Sequence, residues 1–343
     1  MTTNANVNRL GLSKADYNGL PSTLCNGCGH YSIANVIIGA AYDLSLDPTR
    51  IAKFSGIGCS SKSPTYFLGK SHSINGLHGR MPSLATGATT VNKDLVAIGV
   101  SGDGDTGSIG FGQFKHLLRR NVDMVYIIEN NGVYGLTKGQ LSATADLGQK
   151  IKHGGLNETP PLDLCLEAII AGCGFVARSF AGDSKQLQTL LKAAFSHHGT
   201  AVLNVLSPCV SFNNGEASTK SYMWGREHEM PLHDISFIPL EHDEIQAEYE
   251  PDAIHEVAMH DGSIIRLKKT GLEYDPTERM SAIKLLEEER GEQVFTTGLL
   301  YVNEERQTLV AQNKQVEIPL VHLPNEKIRP TQAALDMINA EFM

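Results

Sequence analysis

Basic residues are in deficit: 29 Lys and Arg face 38 Asp and Glu, a net charge of -9 at pH 7. They are scattered and form no stripe, which argues against nucleic acid as a partner. An acidic chain exerts no overall pull on an anionic substrate, so any anion must be met by local cations or backbone N–H groups. Long apolar runs are missing too. The most apolar stretch, residues 33–42, is too short and too interrupted to cross a bilayer, so no membrane span is expected. The opening MTTNANVNRL is polar, without the apolar centre of a secretory signal, and a cytoplasmic location is the expectation. Cysteine is sparse, six in 343 residues, which excludes a disulfide framework as the source of stability. In a reducing compartment, clustered cysteines serve more often as metal ligands or catalytic groups. What is plentiful is apolar residue: at 41% hydrophobic, the chain can bury a core and is long enough for two domains, or one with an extension.

Short apolar runs alternate with helical patterns over the first two-thirds. Helices are predicted at 33–44, 107–120, 161–171 and 184–197. Strands are predicted at 51–57, 95–100, 124–128, 175–180 and 201–206. The strand at 124–128 is wholly apolar, hence buried on both sides. This alternation predicts an α/β fold, a mostly parallel sheet with helices on both faces. Such sheets bind ligands at the carboxyl ends of their strands. The pattern divides the chain into an N-terminal segment (1–20), a main domain (21–225) and a C-terminal extension (226–343). In the extension, alternation fades and two acidic runs occur, at 241–250 and 287–292.

The segment LVAIGVSGDGDTGSIG reads as strand, glycine turn and helix start. Gly102, Gly104 and Gly107 spell G-x-G-x-x-G, which invites a dinucleotide, with Glu129 as the acid at the end of the next strand. Asp103 and Asp105 oppose that: two carboxylates inside the turn would repel a diphosphate unless a cation lay between. Mg²⁺, which prefers hard oxygen ligands and often bridges carboxylate to phosphate, would reverse the conflict. Twenty-five residues separate Gly104 from Asn130, enough for one helix and one strand. That returns Asn130-Asn131-Gly132-Val133 to the glycine turn, where an amide oxygen and a carbonyl could complete a metal shell. The arrangement resembles the thiamine-diphosphate motif: G-D-G, roughly 25 to 30 residues, then N-N. By that resemblance Asp103, the Asn131 side chain and the Val133 carbonyl hold Mg²⁺, and Gly104 and Asp105 lie against the diphosphate.

Cys25 and Cys28 form a C-x-x-C ahead of a helix; Cys59 and Cys209 each follow a strand end. Four thiolates fit Zn²⁺ or a 4Fe–4S cluster equally well on ligand count. Cys165 and Cys173 lie in or beside an apolar stretch and read as core thiols. His30 is at least as readily a loop or thiamine-contact residue as a ligand.

Taken in order, C-x-G-C-G-H, G-I-G-C-S, H-G-R, G-D-G-D, N-N-G-V-Y-G-L-T-K-G-Q and S-P-C resemble the beta subunit of 2-oxoacid:ferredoxin oxidoreductases, most of all the 2-oxoglutarate type. The likeness spans roughly residues 20–225. It implies a thiamine-diphosphate-binding fold and one 4Fe–4S cluster at Cys25, Cys28, Cys59 and Cys209. It also implies thiamine contacts from Ile57, Gly58, Cys59 and Ser60, from Gly135 and Leu136, and from His78. The implied reaction decarboxylates a 2-oxo acid, gives its acyl group to coenzyme A and passes electrons to ferredoxin. Lys62 and Lys138, in loops flanking the cofactor, stand where family members contact the 2-oxo acid or coenzyme A, and with Leu136 they complete the catalytic set. Most lysines, however, are surface residues. No second nucleotide-type sheet is evident, so a larger alpha subunit is expected to complete the site, in a heterodimer repeated by two-fold symmetry. The alternative within the family is a pyruvate or branched-chain 2-oxoacid:ferredoxin oxidoreductase; a non-oxidative thiamine decarboxylase or acetolactate-type enzyme and a nicotinamide dehydrogenase with structural zinc are the competing classes.

Overall fold

The computed structural model describes residues 6–150, 155–240, 254–269, 274–289 and 294–342. The acidic run at 241–250, and positions 290–292 of the other, lie outside them. In chain order the main elements are α1 (Gly29–Asp43), β1 (Ile51–Ser55), β2 (His72–Asn75), α2 (Met81–Val91), β3 (Val96–Gly102), α3 (Phe111–Arg120) and β4 (Met124–Asn130). A small hairpin, β5 (Val133–Tyr134) and β6 (Gln140–Leu141), follows. Then come α4 (Leu164–Ile170), β7 (Phe175–Phe180), α5 (Ser184–Ser196), β8 (Thr200–Leu206) and α6 (Tyr222–His228). The last third adds β9 (Glu229–Pro231), β10 (His233–Ile238), β11 (Ile254–Ala258), β12 (Ile264–Lys269), α7 (Arg279–Glu289) and β13 (Phe295–Val302).

Eight strands form one sheet in the order β2-β1-β3-β4-β8-β7-β13-β9. The six from β2 to β7 are mutually parallel, as unbroken apolar strands require. Successive side chains of β4 enter opposite layers. Val125 and Ile127 pack with α1 and α5, whereas Met124, Tyr126 and Ile128 pack with α2, α3, α4 and α7. Helices on both faces are thus what this strand pattern demands. Residues 226–343 contribute to the same sheet: β13 pairs antiparallel with β7 and parallel with β9. They also form a three-stranded antiparallel sheet, β10-β12-β11, whose Val257, Ile265 and Leu267 join the α1/α5 layer.

Two helices begin later than their periodicity suggested. The helix predicted from 107 starts at Phe111, after a wide turn over Gly104–Ile109 closed by Gly110 N–H donating to the Asp105 carbonyl (2.8 Å). The helix predicted from 161 starts at Leu164, because the Asp163 side chain accepts from the N–H groups of Cys165 and Leu166 and so caps it there.

The consequence for function is convergence. β1, β3, β4 and β8 all end at one edge. The N-terminus of α1 docks there too, Gly29 N–H donating to the Pro208 carbonyl at 3.1 Å. A Cβ at Gly29 would sit 2.6 Å from Ser207 Oγ, so only glycine allows that approach.

Candidate active site

A cavity opens at this edge, walled by the loops after β1, β3 and β4. Every residue named above for thiamine contact (57–60, 78, 104, 105, 135 and 136) lines it, as do Asp103, Asn131 and Val133. The loops come together because glycine leaves room. A Cβ at Gly104 would lie 2.6 Å from the Tyr134 ring, and one at Gly56 2.0 Å from Asp105 Oδ2.

Asp103 is buried, at 1% exposure. It accepts from Asn131 N–H (3.2 Å), from the Thr144 hydroxyl (2.7 Å) and from the Ser142 hydroxyl. All three donors are neutral. Burial pushes its carboxyl above the usual range, and those hydrogen bonds only partly offset it. Asn131 is braced by Val133 N–H donating to its Oδ1 (3.1 Å) and by Asn213 Nδ2 donating to its carbonyl (2.9 Å). Asp105, two residues on, is differently occupied. It accepts from Gly79 N–H and the Ser101 hydroxyl, both at 2.7 Å, and from His78 Nδ1. It thereby fixes the 78–79 turn beside the cavity, and His78 stands edge-on to Tyr134 (6.1 Å).

Glu129, which a dinucleotide reading would use to bind ribose, does something else. It is fully buried, 3.4 Å from His30 Nδ1, and its Oε2 accepts from the Ser63 hydroxyl (2.9 Å). Among the described residues its Oε1 has no hydrogen-bond partner. Burial raises its carboxyl well above the ordinary value, and burial lowers His30 to about 4, so burial disfavours charge on both groups where they face the cavity. An acid at the end of an apolar strand was visible in the sequence; its partners, 66 and 99 residues away, were not.

The four cysteines gather beside the same cavity. A Cβ on Gly135 would lie 3.4 Å from Cys59 Sγ and 3.7 Å from Cys209 Sγ. Ser211 Oγ donates to Cys25 Sγ (3.4 Å), tying the C-x-x-C to the Cys209 loop, and Cys28 caps α1 where it meets Pro208. Burial pushes the Cys28 thiol up to about 12. Burial also raises Cys59, with Cys209 and Cys25 adding to the effect and Lys62 opposing it. Among the described residues no three of these sulfurs lie within 4.8 Å of one another. One zinc ion, with Zn–S bonds of about 2.3 Å, would need sulfurs roughly 3.8 Å apart. Cys165 and Cys173 are core thiols at 0% exposure. Lys62 and Lys138 are exposed and do not line the cavity; Lys138 adopts a left-handed backbone (φ 78°).

Comparison with known proteins gives this edge a class. Residues 56–205 match the family described as thiamine pyrophosphate enzyme, C-terminal TPP binding domain. That range runs from the loop after β1 to β8 and contains most of the cavity wall. The chain is 40% identical over 217 residues to the 2-oxoacid:ferredoxin oxidoreductase subunit beta of Saccharolobus solfataricus, covering 63% of this chain and 70% of that one. With the subunit of the same name from a Sulfolobus species it is 44% identical over 194 residues, 55% of this chain and 63% of the relative. A solved 2-oxoglutarate:ferredoxin oxidoreductase from Magnetococcus marinus, with 2-oxoglutarate, coenzyme A and succinyl-CoA bound, superimposes with a TM-score of 0.71. It is 30% identical, and the match covers 94% of this chain and 96% of that one. The fold is therefore the α/β fold of thiamine-diphosphate enzymes. Within that class, the chain belongs to the family of 2-oxoacid:ferredoxin oxidoreductase beta subunits. Among the described residues no helix is long and apolar enough to cross a membrane.

Proposed function

We propose that the chain is the beta subunit of an enzyme that oxidatively decarboxylates a 2-oxo acid, 2-oxoglutarate by preference. The acyl group goes to coenzyme A, giving succinyl-CoA and CO₂, and the electrons go to ferredoxin. The observation that carries this reading is one cavity whose wall joins a buried, cation-hungry carboxylate, Asp103, to a cysteine cluster through Gly135. The bound molecules of the Magnetococcus marinus relative support the choice of substrates.

The residues fit the cofactors. Asp103 has only neutral donors and room in the cavity, so a divalent ion supplies the charge it lacks. Asp103, Asn131 and the Val133 carbonyl would hold Mg²⁺ and, through it, the diphosphate. The wide sulfur spacing suits a four-iron cluster on Cys25, Cys28, Cys59 and Cys209 better than one zinc ion. When bound, thiamine diphosphate supplies a centre that stabilises the carbanion left by loss of CO₂, and the cluster takes electrons one at a time. Tyr134 donates to the Gly104 carbonyl (3.0 Å) and so fixes the turn that would meet the diphosphate. Glu129 and His30 line the cavity at a place where burial disfavours charge on both. Lys62 and Lys138, exposed beside the mouth, are free to meet an incoming anion.

Leu136 (47% exposed) and Ile57 (37%) leave the cavity mouth apolar, and Leu77 beside His78 is 77% exposed. Such surface supports an alpha subunit that covers the mouth and contributes the remaining thiamine contacts. Anaerobic assay of the chain with its partner, several 2-oxo acids, coenzyme A and a viologen acceptor tests the proposal. Coenzyme-A-dependent viologen reduction with 2-oxoglutarate is expected, from protein whose brown colour dithionite bleaches. Decarboxylation by colourless protein, without acceptor, would overturn it.

A further inference from the structure

We propose that His197, His260 and Glu304 form a binding site for a first-row divalent ion such as Zn²⁺, at the sheet edge opposite the cofactor cavity. The chain places the three residues on separate elements. His197 ends α5, His260 lies in the turn from β11 to β12, and Glu304 follows β13. β8 begins at this edge, and β13, antiparallel to its neighbour β7, ends here. The ligating atoms, one from each residue, all lie within 4.8 Å of one another.

Glu304 gathers both rings: its Oε1 lies 2.6 Å from His197 Nδ1 and its Oε2 lies against His260 Nδ1. An ion with one nitrogen from each ring and a Glu304 oxygen as ligands would join the three residues. Two His and one carboxylate form a recurrent zinc set that leaves a fourth position for water, and nitrogen ligands disfavour Mg²⁺ and Ca²⁺. His197 is 4% exposed, whereas the His260 side chain is 29% exposed and gives an ion its way in. His198 stacks on His260 (4.7 Å, interplanar 7°) and holds its ring in place. Asp123, whose carboxyl accepts from Gly199 N–H (3.1 Å), lies close to both ligand imidazoles. Among the described residues His197 Nε2 has no acceptor, an outer contact whose lack weakens metal sites by about 10–100-fold. The ion would clamp the turn of the small sheet to the entry edge of the main sheet. Its role is structural, because the reacting groups lie at the far end of the strands.

The test uses the full chain, stripped with a chelator and titrated with Co²⁺ and then Zn²⁺. Wild type should bind one ion more than either ligand variant, with a d–d band that carries no thiolate charge transfer, and zinc should raise its Tm. His260→Ala and Glu304→Gln should each lose that equivalent and the zinc-dependent rise, with circular dichroism unchanged. Cys25→Ser should keep both. Equal stoichiometry in wild type and the two variants overturns the site. So does a wild type that shows no thiolate-free cobalt band, whatever the variants do.

Discussion

Replacing Asp103 by Asn separates the charge of this residue from its shape. The carboxylate is 1% exposed and held by three neutral donors, so among the described residues no charge balances it. If its counter-charge is the metal that carries the diphosphate, the amide keeps the volume but loses the ion. Removing one member of a buried ion pair costs about 3–5 kcal/mol. At 1.4 kcal/mol per tenfold, thiamine diphosphate affinity should fall by about two to three and a half orders of magnitude. The cofactor-free fold should not suffer. Burial already works against the charged form, and the Ser142 and Thr144 hydroxyls can turn to accept from the new amide nitrogen. Calorimetric titration with thiamine diphosphate, with and without Mg²⁺, is the assay. Removing Mg²⁺ should weaken the wild type greatly and the variant hardly at all. Affinity unchanged in the variant, or an equal Mg²⁺ effect in both proteins, would refute the assignment.

Cys209→Ser and Cys25→Ser should lower the iron content of anaerobically purified protein while Cys165→Ser does not; equal loss in all three would sink the ligand set. Lys138→Ala should lower kcat/KM for 2-oxoglutarate more than tenfold, as an ammonium–carboxylate contact worth about 1.5–3 kcal/mol implies, with little change for pyruvate. Equal losses on both substrates would move Lys138 to another role, such as meeting coenzyme A. Burial lowers His233 from 6.5 to about 4, and its Nε2 accepts from Leu299 N–H (3.2 Å), so the folded state needs it neutral. A folded value below the unfolded one gives stability that is complete above pH 6.5 and is lost as pH falls toward 4, up to about 3 kcal/mol. Urea midpoints between pH 7 and pH 4.5 should therefore fall more steeply for wild type than for His233→Gln, and parallel profiles would exclude this histidine.

The parallel core was legible because its signals are local. An uninterrupted apolar run such as Met124–Asn130 has one economical use, a strand covered on both sides, and the glycine, asparagine and cysteine motifs follow such runs directly. The last third was not legible for the opposite reason. β13 carries Thr296, Thr297 and Gly298 inside a buried strand and shifts register between Leu299 and Tyr301, so neither period survives in its sequence. β9 has only three residues, and its pairing with β13 joins positions more than sixty apart. The same distance hid the companions of Glu129, and it hid His197, His260 and Glu304, which share no spacing that a motif could express.

The aspartates of the glycine turn show where sequence logic stops and environment decides. In G-D-G-D the two carboxylates are chemically identical and two residues apart; the repulsion between them called for a cation, and only the resemblance to the thiamine-diphosphate motif assigned it to Asp103. The folded chain divides the work. Asp105 spends its oxygens on His78, Gly79 N–H and Ser101, a set that spans two loops and leaves it a brace. Gly56 must lack a Cβ for that brace to exist, since one would fall 2.0 Å from Oδ2. Asp103 meets only neutral groups from the asparagine loop and the 142–144 segment beyond it, so it alone keeps an unmet demand for positive charge. A turn that carried only one carboxylate would have to choose between holding its neighbouring loops and holding a metal. With two, Asp105 serves as the brace and Asp103 is left for the metal proposed above.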